Sequence, residues 1–127
     1  MPEQHLFEYA VIRVVPRMER EEFMNVGVII FSQRLKYLKC LYTIDTNRLN
    51  ALCRSLCLED VTANLQAFER ICHGSPGSGP IGKLDNASRF RWLTATRSTV
   101  VQASKVHPGF CLDADATLQR MFEQQVL

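Results

Sequence analysis

Residues Arg13 to Phe31, RVVPRMEREEFMNVGVIIF, set two strand-like apolar runs on either side of a knot of charge, and the fold follows from that contrast. Arg17 to Glu22 holds two arginines, three glutamates and one methionine. Six such residues are not core, because a buried charge without a partner costs several kcal/mol. The connection between two central strands therefore lies in water or against a partner. Upstream, Glu8 to Val15 places Ala10, Ile12 and Val14 on one face and Tyr9, Val11, Arg13 and Val15 on the other, the period of a strand, which Pro16 ends. Downstream, Met24, Val26, Val28 and Ile30 alternate with Asn25, Gly27, Ile29 and Phe31. Both faces are largely apolar, which predicts a central strand covered on each side. A polar turn, Ser32 to Lys36, leads to a third alternating run, Tyr37 to Ile44, with Leu38, Cys40, Tyr42 and Ile44 inward. Three such strands with short links predict an antiparallel meander.

Beyond it the apolar period lengthens to about 3.6 residues. Leu49, Leu52, Cys53 and Leu56 form one helical stripe, started by Asp45 or Thr46. Val61, Leu65, Phe68 and Cys72 form a second, with Glu59 and Asp60 at its positive end and Gly74 as its stop. The segment His73 to Gly82 holds four of the six glycines and two of the five prolines and reads as a mobile loop. Asn86 to Thr94 reads as a short helix capped by Asn86, or as a strand on which Phe90 and Trp92 share a face; the helix is preferred. Ser98 to Ser104 reads as a strand, His107-Pro108-Gly109 as a turn, and Asp113 to Val126 as a last helix with Leu118, Met121 and Phe122 inward. Strands first and helices after give an α+β class, an antiparallel meander of about four strands packed with three to four helices in one domain, 1–127.

At 127 residues the chain is long enough to bury roughly two-thirds of its unfolded surface. The longest apolar run, Val26 to Phe31, falls far short of the roughly 20 residues that cross a bilayer, so no membrane span is expected. The first ten residues, MPEQHLFEYA, lack the order of a secretory signal, and a cytoplasmic address is expected. A net charge of +2 does not demand a polyanion, although eleven of the fifteen basic residues are arginine, which suits forked contacts to carboxylate or phosphate. Five cysteines, Cys40, Cys53, Cys57, Cys72 and Cys111, are an odd count, and most are expected reduced and buried.

The blocks VIRVVPRMEREEFMNVGVIIF and RFRWLTATRSTVVQASKVHPG, followed by an Asp-initiated helix ending at Val126, resemble a bacterial family of small proteins described as a domain of unknown function. In that family the charge knot typically runs Arg-Gly-Glu-Phe. Here Arg20-Glu21-Glu22-Phe23 puts Glu21 where the glycine stands, which speaks against a tight backbone turn at this point. The resemblance implies no activity; it implies a possible partner, a kinase resembling the HipA toxin.

Arg17, Arg20 and Glu22 of the charge knot are candidate docking residues, set against the plainer reading of a solvated hairpin end whose charges pair among themselves. Asn25 enters an apolar strand with no obvious mate for its amide, and Gly27 beside it marks the close approach of another backbone or of a ligand. Residues Lys83 to Lys105 carry five Lys and Arg against Asp85 alone, with Phe90 and Trp92 interleaved. Arg89, Arg91, Trp92, Arg97 and Ser98 there suit phosphate or single-stranded nucleic acid, or else Phe90 and Trp92 anchor core and the arginines point to water. Cys53 and Cys57, and His107 and Cys111, lack the paired spacing of a zinc site, so no metal and no cofactor is expected. His107 has no visible nucleophile to serve as a base.

Two functions remain. The first is a non-catalytic protein-protein interaction module, docking on another bacterial protein, a kinase or toxin, through the charged connection and the Arg89 to Arg97 face. The alternative is a phosphate- or nucleic-acid-binding protein, or an enzyme, using the Arg89 to Arg97 patch. The free edge of the third strand leaves room for a homodimer.

Overall fold

Alternation does place β1 (His5–Val14) against β2 (Met24–Ser32) in antiparallel register, and β2 against β3 (Tyr37–Tyr42). The structure is a computed structural model that describes residues 3–17, 20–95, 97 and 99–127. On its other edge β1 carries two short strands in succession. β5 (His107–Cys111) pairs with His5 to Tyr9, and β4 (Val101–Ala103) pairs with Ile12 to Val14, completing a five-stranded antiparallel sheet. Helices α1 (Thr46–Leu52), α2 (Leu58–His73) and α3 (Asn86–Thr94) cover one face, bringing Leu49, Val61, Leu65, Phe90 and Leu93 onto Ile12, Ile29 and Phe31. α4 (Ala114–Gln125) covers the other, setting Ala114 and Leu118 on Phe7, Val28 and Ile30. The α+β class holds, and β2 is the doubly covered central strand, every residue from Val26 to Ser32 being buried.

Strict alternation along β2 does not hold. Ile12 faces Gly27 while Arg13 faces Asn25, so Val26 is an extra residue opposite β1, a β-bulge. Val26 consequently packs with Met24, Ile29 and Phe31 under the α1–α3 layer, whereas Val28 and Ile30 face α4. The bulge also turns Asn25 toward α4, where its Nδ2 donates to the Gln125 carbonyl at 3.1 Å. Arg48 donates to the next carbonyl, that of Val126, at 3.2 Å, so two donors meet the electronegative end of α4.

Three other expectations change. Pro108 and Gly109 lie in β5, not in a turn. β5 is an edge strand, where the missing proline N–H costs no ladder bond, and the Phe7 ring lies so close over Gly109 that an added Cβ would come within 2.6 Å of it. α1 stops at Leu52 because Cys53 is extended (φ −156°), so the stripe does not reach Leu56 as one helix. The glycine-rich segment is not all loop: Ile81–Lys83 forms a 3-10 turn with Gly82 buried. Asn86 to Thr94 is the helix, capped by Asp85 rather than Asn86.

Gly27 is required by its neighbour across the sheet. A Cβ there would stand 2.4 Å from the Leu41 carbonyl oxygen and 2.7 Å from the Tyr42 Cβ, both anchored in β3. Gly27→Ala is expected to lower stability by about 1–3 kcal/mol through overpacking, measured by urea denaturation.

β3 is also fastened to α4 through Tyr37, whose hydroxyl donates to Asp115 Oδ1 at 2.7 Å. That hydrogen bond holds the Asp115 carboxyl below its ordinary value, with Lys39 adding to the effect and burial opposing it. A depressed carboxyl stabilises the fold above its unfolded-state value, about 3.9, and the contribution is lost as pH falls through the lower folded value. Tyr37→Phe is expected to cost about 1 kcal/mol at neutral pH. The difference from the parent protein should shrink on acidification, as read by urea denaturation at both pH values.

Candidate functional site

The end of β1 and the start of β2 set Arg17, Arg20 and Glu22 of the charged connection over the C-terminal end of α1. Between them lies a cleft of about 440 Å³ lined by Pro16, Arg17, Arg20 and Glu22 on one side and by Leu52, Cys53, Arg54 and Ser55 on the other. Three arginines therefore face one space, and Glu22 is the one acidic residue among the described lining residues. Arg20 Nε pairs with Glu22 Oε1 at 2.8 Å, which leaves Arg17 and Arg54 as the uncompensated charges there among the described residues. Met18 and Glu19 lie outside the described residues.

Cys53 belongs to this cleft, not to the core stripe to which its spacing assigned it. The early end of α1 turns it out: its N–H makes the last helical bond, to the Leu49 carbonyl, and its side chain reaches Ser55 Oγ at 3.3 Å. The Ser55 hydrogen bond is the main reason that the Cys53 thiol sits below its ordinary value; burial works the other way, and the Ser55 amide and the Arg17 charge also lower it. An arginine-lined cleft suits an anion, a carboxylate or phosphate, held by forked guanidinium contacts.

The second cluster is divided by the fold. Arg89 points inward, its Nη1 donating to the Ile71 and Cys72 carbonyls at 3.1 and 3.0 Å and its Nη2 to Asn86 Oδ1. It closes the C-terminal end of α2, where a cation is favoured. Arg97 stacks on Trp92, 3.6 Å from the ring centroid, and donates to the Trp92 carbonyl. One face of that indole is thus already covered by a guanidinium. Phe90 is core, stacked on Phe31 at 5.2 Å, while Trp92 is 37% exposed. Arg91 lies on the exposed side of α3, its Nη2 3.4 Å from Ser88 Oγ. Ser98 lies outside the described residues. His107 is exposed on β5, opposite Tyr9 and 5.4 Å from that ring, remote in the fold from the arginine cleft. Asn25 makes its contact within the molecule, to α4. Of the residues singled out from sequence, the structure brings Arg17, Arg20 and Glu22 together at one cleft and pairs Arg97 with Trp92 elsewhere.

Arg54, Cys53 and Ser55 escaped the sequence reading because a helical stripe was extended through them. The polar pair Arg54-Ser55 directly after Leu52 was the available signal that the helix had stopped.

These two blocks, the charged connection and the α3–β5 segment, fall inside a match to a family model described as a protein of unknown function, DUF3037, over residues 9–126. The chain belongs to that family. No curated protein matches it, and no solved structure does. The family's typical glycine in the charge knot has a physical reading here. Glu21, which stands in its place, has φ +54°, the left-handed region that glycine enters freely. The tight turn that the missing glycine spoke against is therefore present, with a side chain bearing its strain. Glu21→Gly is expected to stabilise the protein by about 0.5–1 kcal/mol, seen as a raised thermal midpoint.

Proposed function

We propose that the protein is a recognition module that holds an acidic segment of a partner protein in the arginine cleft, and that it performs no chemistry there. The reading is carried by Arg17 and Arg54 facing one cleft of about 440 Å³ with no described acid to neutralise them. Such guanidinium groups meet carboxylates as planar forks, which gives orientation as well as attraction. The cleft is open, and Arg17, Arg20 and Glu22 on one wall lie outside the strands, so an extended peptide reaches it. The partner that the family resemblance implies, a HipA-like kinase, is the first to test.

Reversal of two charges that face the ligand, Arg17→Glu with Arg54→Glu, is expected to weaken kinase binding at least tenfold, about 1.4 kcal/mol, in calorimetric titration. Binding by the parent protein should also weaken with added salt, since exposed charges are screened beyond about 10 Å at 0.1 M. Both side chains are outside the core, so the thermal midpoint should hold. Kinase affinity indifferent to the double reversal would refute the cleft as the docking site. Salt-sensitive binding of a single-stranded oligonucleotide, lost on Trp92→Ala and retained by the double reversal, would favour the Arg91–Trp92 surface and a nucleic-acid ligand instead.

A further inference from the structure

At the end of α2 opposite the arginine cleft, the fold brings the adjacent pair Cys72 and His73 together with Cys40, more than thirty positions earlier in the chain. Cys40 projects from β3 under the α1–α3 layer, and Cys72 and His73 are the last two residues of α2. One ligand atom from each, two sulfurs and an imidazole nitrogen, lies within 4.8 Å of the others. A tetrahedron with Zn–S of about 2.3 Å and Zn–N of about 2.0 Å has edges of roughly 3.5–3.8 Å, so small side-chain rotations suffice to close the set. Both cysteines are buried, at 4% and 0% exposure, whereas His73 is exposed. Two thiols and an imidazole at the rim of an apolar core form a donor set that selects zinc over magnesium or calcium.

We propose that Cys40, Cys72 and His73 bind a zinc ion, with water at the fourth position on the exposed His73 side. Binding converts two thiols to thiolates and releases their two protons to solvent. The surroundings hold the donors in place. Arg89 grips the Ile71 and Cys72 carbonyls at 3.1 and 3.0 Å, and the left-handed Gly74 (φ +62°) ends the helix directly after His73. Glu69, one turn earlier on α2, receives the Tyr42 hydroxyl at 3.4 Å, so β3 and α2 are tied together beside the donors. A metal there joins strand to helix by two coordinate bonds from α2 and one from β3.

The test is titration of the reduced, metal-free full chain with zinc and with cobalt, the latter read by its thiolate charge-transfer absorption. One equivalent is expected to bind, with a raised thermal midpoint and an absorption intensity fitting two thiolates. His73→Ala, at an exposed position that leaves the core intact, should weaken binding at least tenfold. Cys40→Ser and Cys72→Ser should each abolish the charge-transfer band or halve it. Cys57→Ser should leave zinc and cobalt binding unchanged. Absence of metal binding by the folded, reduced protein would overturn the proposal. So would binding that survives His73→Ala unchanged or that is lost on Cys57→Ser.

Discussion

β2 is dry on both faces, and most of the molecule is arranged around that constraint. A strand buried by α1–α3 on one side and α4 on the other has no place for the five charged residues between Arg17 and Glu22. Of these, Arg17, Arg20 and Glu22 stand outside the sheet, beyond Val14, and line a cleft with the end of α1. The bulge at Val26 belongs to the same economy of space. It lets Gly27 slide under the Leu41 carbonyl while Met24 and Val26 stay with the larger apolar layer. It also lets Asn25 leave that layer for a carbonyl at the end of α4, which satisfies its amide N–H.

The arginines illustrate how far one residue type can diverge in role. Arg89 and Arg97 lie within eight residues of each other, yet one closes a helix and the other lies flat on an indole. Both are held by the molecule itself. Arg17 and Arg54 are 37 positions apart in the chain and share a cleft. Charge that the fold leaves uncompensated is what a ligand can use, and by that criterion the hairpin connection outranks the α3 segment. The cysteines divide in the same way. Cys40 and Cys72 meet inside the core, while Cys53, displaced by the early end of α1, is presented to solvent beside two guanidinium groups.

Where the sequence reading failed, it failed through local rules applied one residue too far. Alternation was carried through Val26, helical period through Cys53, and turn propensity through Pro108-Gly109. In two of the three a neighbour distant in sequence decided otherwise, Ile12 and Arg13 across the bulge and the Phe7 ring lying over Gly109, while at Cys53 the chain's own extended backbone ended the helix. Glu21 shows the reverse. Its place in the charge knot was recognised from the family pattern, but its left-handed backbone was not, because side-chain identity alone argues against that conformation.

The order of the elements other than β5, the α+β class and the doubly covered β2 were determined by the sequence alone, because apolar period and the exclusion of charge from the core are local and additive. Which polar residues meet was decided only by tertiary structure. A cleft between the β1–β2 connection and α1, or a thiol pair between β3 and α2, joins residues more than thirty positions apart, and no periodicity carries that distance. Their juxtaposition depends on the angle at which helices settle on the sheet, which is set by the packing of side chains such as Leu49, Leu65 and Phe90 that themselves have no part in either site.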